Sequence, residues 1–94
     1  MDKRIKRDSL GVGDLEDLRR NHIIVGTKQL RKRLNRGGVR TVYLALDADP
    51  AITVPLEAMC GQMDVPCHWV RSMLELGRAC GIDVGAVTAA VVAD

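Results

Sequence analysis

Short β-branched runs alternate with amphipathic stretches along most of the chain, and this alternation limits the fold more than any other feature. His22-Ile23-Ile24-Val25 reads as a strand closed by Gly26. Thr27–Arg36 reads as a helix, with Thr27 as its N-cap, Leu30 and Leu34 on its inner side, and Gly37-Gly38 as its stop. Val39–Leu46 reads as a buried strand and Asp47-Ala48-Asp49-Pro50 as a turn. A residue before proline avoids helical geometry, so the next helix is expected to begin at Pro55 and to end near Met63. Val65-Pro66 leads into a strand over Cys67–Val70. Ser72-Met73-Leu74-Glu75 then has the form of a capping box and opens a helix that stops before Gly81. Ile82–Gly85 is a loop and Ala86–Ala93 a last strand; Asp14–Arg20, with Leu15 and Leu18 three apart, reads as a further short helix. Strands and helices in turn, on short connections, predict an α/β domain: an α-β-α sandwich with at least some parallel pairing.

With 94 residues there is room for one domain, expected over 13–94, behind a basic arm over 1–12. A chain of this size buries only roughly 60–65 % of the surface that its unfolded form exposes, which leaves little room for a deep catalytic cavity. The formal net charge of +2 conceals a division. Residues 1–40 hold twelve Lys/Arg against five acids, a net +7, whereas residues 41–94 hold only Arg71 and Arg78 against seven acids, a net −5. On the expected helix over 27–36, Lys28, Lys32 and Arg36 fall opposite Leu30 and Leu34, flanked by Gln29, Arg33 and Asn35. These cations repel one another at i,i+4 spacing with no acid to pair them, which suits a surface that meets a polyanion. Tyr43 and Trp69 are the only aromatic residues, which argues against a reader of single strands that stacks bases on aromatic platforms.

No apolar run approaches the roughly 20 residues that span a bilayer, and the alternating charges of Met1–Asp8 do not resemble a secretory signal. Cys60, Cys67 and Cys80 are odd in number and lack Cys-x-x-Cys spacing, so they read as buried thiols of a cytoplasmic protein with no metal or cofactor. Adjacent residues of a strand point to opposite faces, so Cys67 and His68 cannot form a thiolate–imidazole pair. With no phosphate-cradling Gly-x-x-x-x-Gly-Lys loop either, no enzyme activity is expected.

Four ordered stretches carry a resemblance: Ile24-Val25-Gly26-Thr27-Lys28-Gln29-x-x-Lys32, Ala45-Leu46-Asp47-Ala48-Asp49-Pro50, Val65-Pro66, and Leu76-Gly77-Arg78-Ala79-Cys80-Gly81-Ile82. Together they resemble the kink-turn-binding ribosomal protein superfamily of the archaeal L-seven-Ae and eukaryotic L-thirty-e groups and small bacterial members, over about residues 22–93. The resemblance implies a three-layer α-β-α sandwich with a mixed four-stranded sheet. It also implies, as partner, a structured RNA with a kink-turn, in which tandem sheared G·A pairs border a sharply bent bulge. Such a motif would be met in ribosomal RNA, an mRNA leader or a riboswitch, with the ribosome as a further partner of a monomeric protein.

By position, Gly26, Thr27, Lys28 and Gln29 match the family's turn at the G·A pairs, and Lys32 matches its backbone-contacting lysine; Arg36 extends the same cationic face. Many relatives have Asn where Lys28 stands and Glu where Gln29 stands. Asp49 and Thr53 match residues near a flipped-out bulge nucleotide, although Asp before Pro is equally an ordinary helix cap. Ile82, Asp83 and Val84 match the loop that packs on the bulge, and basic residues of many relatives are absent at Val84 and Met73. The arm Lys3–Arg7 suits either an RNA backbone or a solubilising tail. The rival to the kink-turn reading is a protein-interaction module, or a general RNA-binding accessory factor that uses its basic half on phosphates.

Overall fold

Seven elements follow one another in the order strand, helix, strand, helix, strand, helix, strand. They are β1 (Ile23–Val25), α1 (Thr27–Arg36), β2 (Val39–Ala45), α2 (Pro50–Gln62), β3 (Cys67–Val70), α3 (Met73–Ala79) and β4 (Thr88–Val92). The computed structural model describes Leu18 and residues 22–93. The expected arm over 1–12 lies outside the described residues, as does the expected helix over 14–20 apart from Leu18, which is helical and buried.

The strands form one sheet in the order β1-β4-β2-β3, with β4 antiparallel to β1 and β2, and β2 parallel to β3. Side chains alternate across it, as the period of two requires. Val42, Leu44, Trp69 and Ala90 pack with Leu30 and Leu34 of α1 and Leu56 and Cys60 of α2. Tyr43, Ala45, Val70, Ala89 and Val91 pack on the other side with Leu76 and Ala79 of α3 and with Leu18. Helices on both faces of a mixed four-stranded sheet make the expected three-layer α-β-α sandwich.

Beyond one-residue shifts at element ends, two starts and one cap differ from the expectation. Helix α2 begins at Pro50, not at Pro55, because Asp49 takes the extended conformation that a residue before proline prefers and so becomes the N-cap. Its carboxylate accepts the Ala51 N–H at 2.9 Å, and Pro55 then lies inside the helix. Helix α1 is capped by Gly26 and not by Thr27, since the Gly26 carbonyl accepts the first helical bond, from the Leu30 N–H at 3.1 Å. Strand β4 starts at Thr88 because the Ala86 N–H donates to the Met73 carbonyl at 2.9 Å and leaves the ladder.

The strand directions decide what gathers at each end. β1, β2 and β3 all end, and β4 begins, at the same end of the sheet. The first turns of α1, α2 and α3 and the loop over 80–87 therefore share that end.

Pro55 can donate no hydrogen bond to the Ala51 carbonyl one turn back, and its ring crowds that group. A helix-interior proline costs about 3 kcal/mol relative to alanine, less up to about 1 kcal/mol gained by restricting the unfolded chain. Pro55→Ala is therefore expected to raise the stability by about 2 kcal/mol in urea unfolding. A lower urea midpoint for the variant would contradict this account of α2.

Candidate nucleic-acid interface

The start of α1 is built on the middle of the sheet. The Gly26 N–H donates to the Thr88 carbonyl at 3.1 Å. The buried Thr88 hydroxyl in turn donates to the Tyr43 carbonyl at 2.9 Å. Gly26 adopts φ 108° and ψ 148°, a conformation that in practice only glycine holds without strain. A Cβ at Gly26 would meet nothing within 4 Å, so the glycine serves the backbone conformation and the surface before it is open.

The three helix N-termini at this end are satisfied differently. Asp49 caps α2 through the Ala51 amide. Ser72 caps α3 through the Glu75 amide at 3.1 Å, and the Asp47 carboxylate accepts the Met73 N–H at 2.8 Å. Among the described residues helix α1 has no side-chain cap, and its first turn has no acid. Its leading amides and the positive end of its dipole are thus left for an outside acceptor. Lys28, Gln29 and Lys32 are exposed beside them, and Thr27 is half-buried.

The other expected residues are divided. Arg36 is exposed but sits at the far end of α1, about 14 Å along the axis from Thr27. Arg33, expected to flank the cationic face, is engaged at that far end: its Nε donates to the Gly37 carbonyl at 3.0 Å and its terminal nitrogen to the Ala93 carbonyl at 2.6 Å. Asp49 is exposed as well as capping. Thr53 is only 2 % exposed, on the inner side of α2 with Leu56 and Cys60. Its hydroxyl-bearing side chain is turned away from a surface ligand, and the candidate contact at this point of the helix moves to Val54, which is 52 % exposed.

Ile82, Asp83 and Val84 stand on the loop that shares the end. Ile82 is half-buried against the α3 side of the core and its N–H donates to the Gly77 carbonyl at 3.1 Å. Asp83 is exposed, and Val84 is 67 % exposed at the surface of the loop. Gly77 is required by this contact, because a Cβ there would overlap the Val84 carbonyl. Sequence reasoning placed Gly77 in a motif without a role and passed over Asp47 and Val54; a carboxylate directly after a strand was the signal available for Asp47.

The three thiols do not gather at one site, and only Cys60 is fully buried, Cys67 and Cys80 being half-buried. Cys60 and Cys67 lie on the α1/α2 side of the sheet and Cys80 on the α3 side. A hydrogen bond from Cys67 lowers the Cys60 pKa against the opposing effects of burial and of Glu57, whereas burial raises that of Cys80. His68 stacks obliquely on Tyr43, with ring centroids 5.7 Å apart, so it faces away from Cys67 as the strand period requires. Among the described residues no three His, Cys, Asp or Glu side chains are grouped to hold a metal, and no helix is long and apolar enough to cross a membrane.

A mixed sheet between helical layers, with one uncapped helix N-terminus among cations at its end, defines an α-β-α domain suited chemically to anionic ligands. The chain belongs to the Ribosomal protein L7Ae/L30e/S12e/Gadd45 family, whose model matches residues 14–94. It is 45 % identical over 69 residues to an RNA-binding protein of Halalkalibacterium halodurans, covering 73 % of this chain and 84 % of that one. To the RNA-binding protein YbxF of Geobacillus stearothermophilus it is 39 % identical over 74 residues, covering 79 % of this chain and 90 % of that one. Among solved structures, the Giardia lamblia 15.5kD RNA binding protein superposes with a TM-score of 0.77 at 29 % identity, over 100 % of this chain and 85 % of that one. These relatives are named for RNA binding and not for an enzyme activity, in keeping with the expectation that no catalysis occurs here.

Gly26→Ala is expected to destabilise the fold by about 1–3 kcal/mol in urea unfolding, the usual cost of a side chain in such a conformation. Because the space is open, a larger loss would point to a packing role for Gly26, and no loss would contradict the conformational one.

Proposed function

We propose that this protein binds structured RNA, with the kink-turn as its target, and performs no chemistry on it. The observation that carries the reading is the uncapped N-terminus of α1 with Lys28, Gln29 and Lys32 exposed around it. The names of the relatives support RNA as the anion in question. In regular A-form RNA the base edges lie in a deep, narrow major groove that side chains cannot enter. A kink beside sheared G·A pairs opens that groove, so the start of a helix can approach guanine edges and phosphates together.

In this complex Lys28 donates to guanine O6 or N7. The Gln29 amide bonds the neighbouring guanine edge, more weakly than a carboxylate would. Lys32 meets a phosphate, and the leading amides of α1 take a second one. On the far side of the same end, Asp49, Val54, Ile82, Asp83 and Val84 receive the bulge nucleotides. Where relatives are expected to carry basic residues, Val84 offers the RNA an exposed apolar side chain instead, and Met73 packs against the α3-side core. The partner is a kink-turn of ribosomal RNA, an mRNA leader or a riboswitch, with the protein acting as a monomer in the cytoplasm and in association with the ribosome when the target is ribosomal RNA.

Binding is measured to a kink-turn duplex and to the same duplex with its G·A pairs replaced by Watson–Crick pairs, over a series of salt concentrations. The kink-turn is expected to bind more tightly at every salt concentration, and equal affinities would leave only a general phosphate binder. Gln29→Ala weakens the G·A-containing duplex selectively. Lys32→Ala weakens both duplexes and lowers the slope of log K against log salt by about one. Arg33→Ala, whose guanidinium serves the far end of α1, leaves that slope unchanged; an equal drop in slope for Arg33→Ala would place the RNA on a different face.

A further inference from the structure

The loop over 80–87 is tied to α3 at two places: Ile82 and Val84 lie against Gly77, the Ile82 N–H donating to its carbonyl at 3.1 Å, and beyond Val84 the chain is held by the first residue of α3. The Met73 carbonyl accepts the Ala86 N–H at 2.9 Å, and Gly85 packs closely on Met73. The Met73 N–H in turn donates to Asp47 at 2.8 Å, across 26 positions of sequence. Asp47 lies on the connection from β2 to α2, two residues before the Asp49 cap. One peptide unit on each side of Met73 therefore joins the connection that leads to α2 with the loop that leads to β4. Asp47 is exposed, so its carboxylate is not present to fill the core. At the start of α3 it serves a different amide from the local cap: Ser72 accepts from Glu75, and Asp47, from a distant segment, accepts from Met73.

We propose that Asp47 is a positioning residue for the RNA site: by holding the Met73 amide it sets the spacing between the start of α2 and the loop carrying Ile82, Asp83 and Val84. The proposal rests on the RNA-binding reading above. The two segments would receive the same splayed nucleotides, and an RNA with a fixed bulge geometry is held only if the gap between them is fixed too. A binder that contacted phosphates alone would not need that gap controlled.

The test uses the whole chain and three variants that act on one bond from both ends. Asp47→Ala removes the acceptor and Asp47→Asn keeps a carbonyl oxygen in its place. Met73→Pro removes the donor without touching Asp47, at a helix position that tolerates proline and after a residue, Ser72, that is already extended. Met73→Ala controls for the loss of the methionine side chain. Each is measured for hydrogen exchange at the Ala86 amide without RNA, and for affinity to a kink-turn duplex and to a plain duplex of equal length.

In Asp47→Ala and Met73→Pro the Ala86 amide is expected to exchange faster. Both should bind the kink-turn about tenfold more weakly, the effect of losing one hydrogen bond to a charged group. Affinity for the plain duplex stays unchanged, and Asp47→Asn recovers most of the kink-turn affinity. A variant that merely folds less well would lose both RNAs in parallel, and that result overturns the positioning role. Kink-turn affinity retained in Asp47→Ala or in Met73→Pro overturns it too, as does Ala86 exchange that does not change. Equal wild-type binding to the two duplexes is a separate failure, that of the kink-turn reading itself.

Discussion

Two hydrogen bonds seat the start of α1 on the centre of the sheet. The Gly26 amide donates to the Thr88 carbonyl, and the Thr88 hydroxyl donates to the carbonyl of Tyr43. Through them the first turn of α1 is seated on β4 and β2, the two central strands of the sheet. A helix start anchored on the sheet centre cannot drift as a surface loop would. Its amides, and the backbone from which Lys28 and Gln29 project, are held in place before any ligand arrives. The antiparallel run of β4 between β1 and β2, and the parallel pairing of β3 with β2, then bring the starts of α2 and α3 to the same end.

Charge is divided along the chain for a reason that the capping pattern makes plain. The second half is net negative, and two of its carboxylates, Asp47 and Asp49, are spent on backbone amides at the starts of α3 and α2. Those helix ends are thereby satisfied by the protein itself. Helix α1 begins with a glycine that has no side chain to offer, followed by a sequence without acids. The same end of the molecule thus carries two helix starts closed by anions and one left open among lysines. In the proposed reading an anionic group of the RNA is taken by the open one.

Much of this was legible in the sequence. The strand over 67–70 and the helix over 27–36 have the expected boundaries, because β-branched and aromatic residues, paired leucines and flanking glycines all agree there. The start of α2 was misplaced since Pro55 and Pro50 are equally good first-turn residues, and only the Asp49 cap chooses between them. Thr53 occupies the expected position in the chain but not the expected surface, because a helix turns its residues by 100° each and Val54 takes the outer side. Arg33 illustrates the same limit: on a helix wheel it flanks the cationic face, yet the carbonyls of Gly37 and Ala93 claim its guanidinium. The roles of Asp47 and Gly77 depend on contacts between segments far apart in sequence, which no local pattern encodes.

The central claim is that in the proposed complex the backbone amides at the open start of α1 bond the RNA directly, whereas the amides at the starts of α2 and α3 stay with their own caps and α2 meets the bulge through the side chains of Asp49 and Val54. Amide chemical shifts followed while a kink-turn duplex is titrated in test it most directly. The account predicts that the amides of Thr27, Lys28 and Gln29 shift most, and that those of Ala51, Met73 and Glu75, already bonded to Asp49, Asp47 and Ser72, shift far less. Large shifts at Ala51, Met73 or Glu75 with none over 27–29 would contradict it.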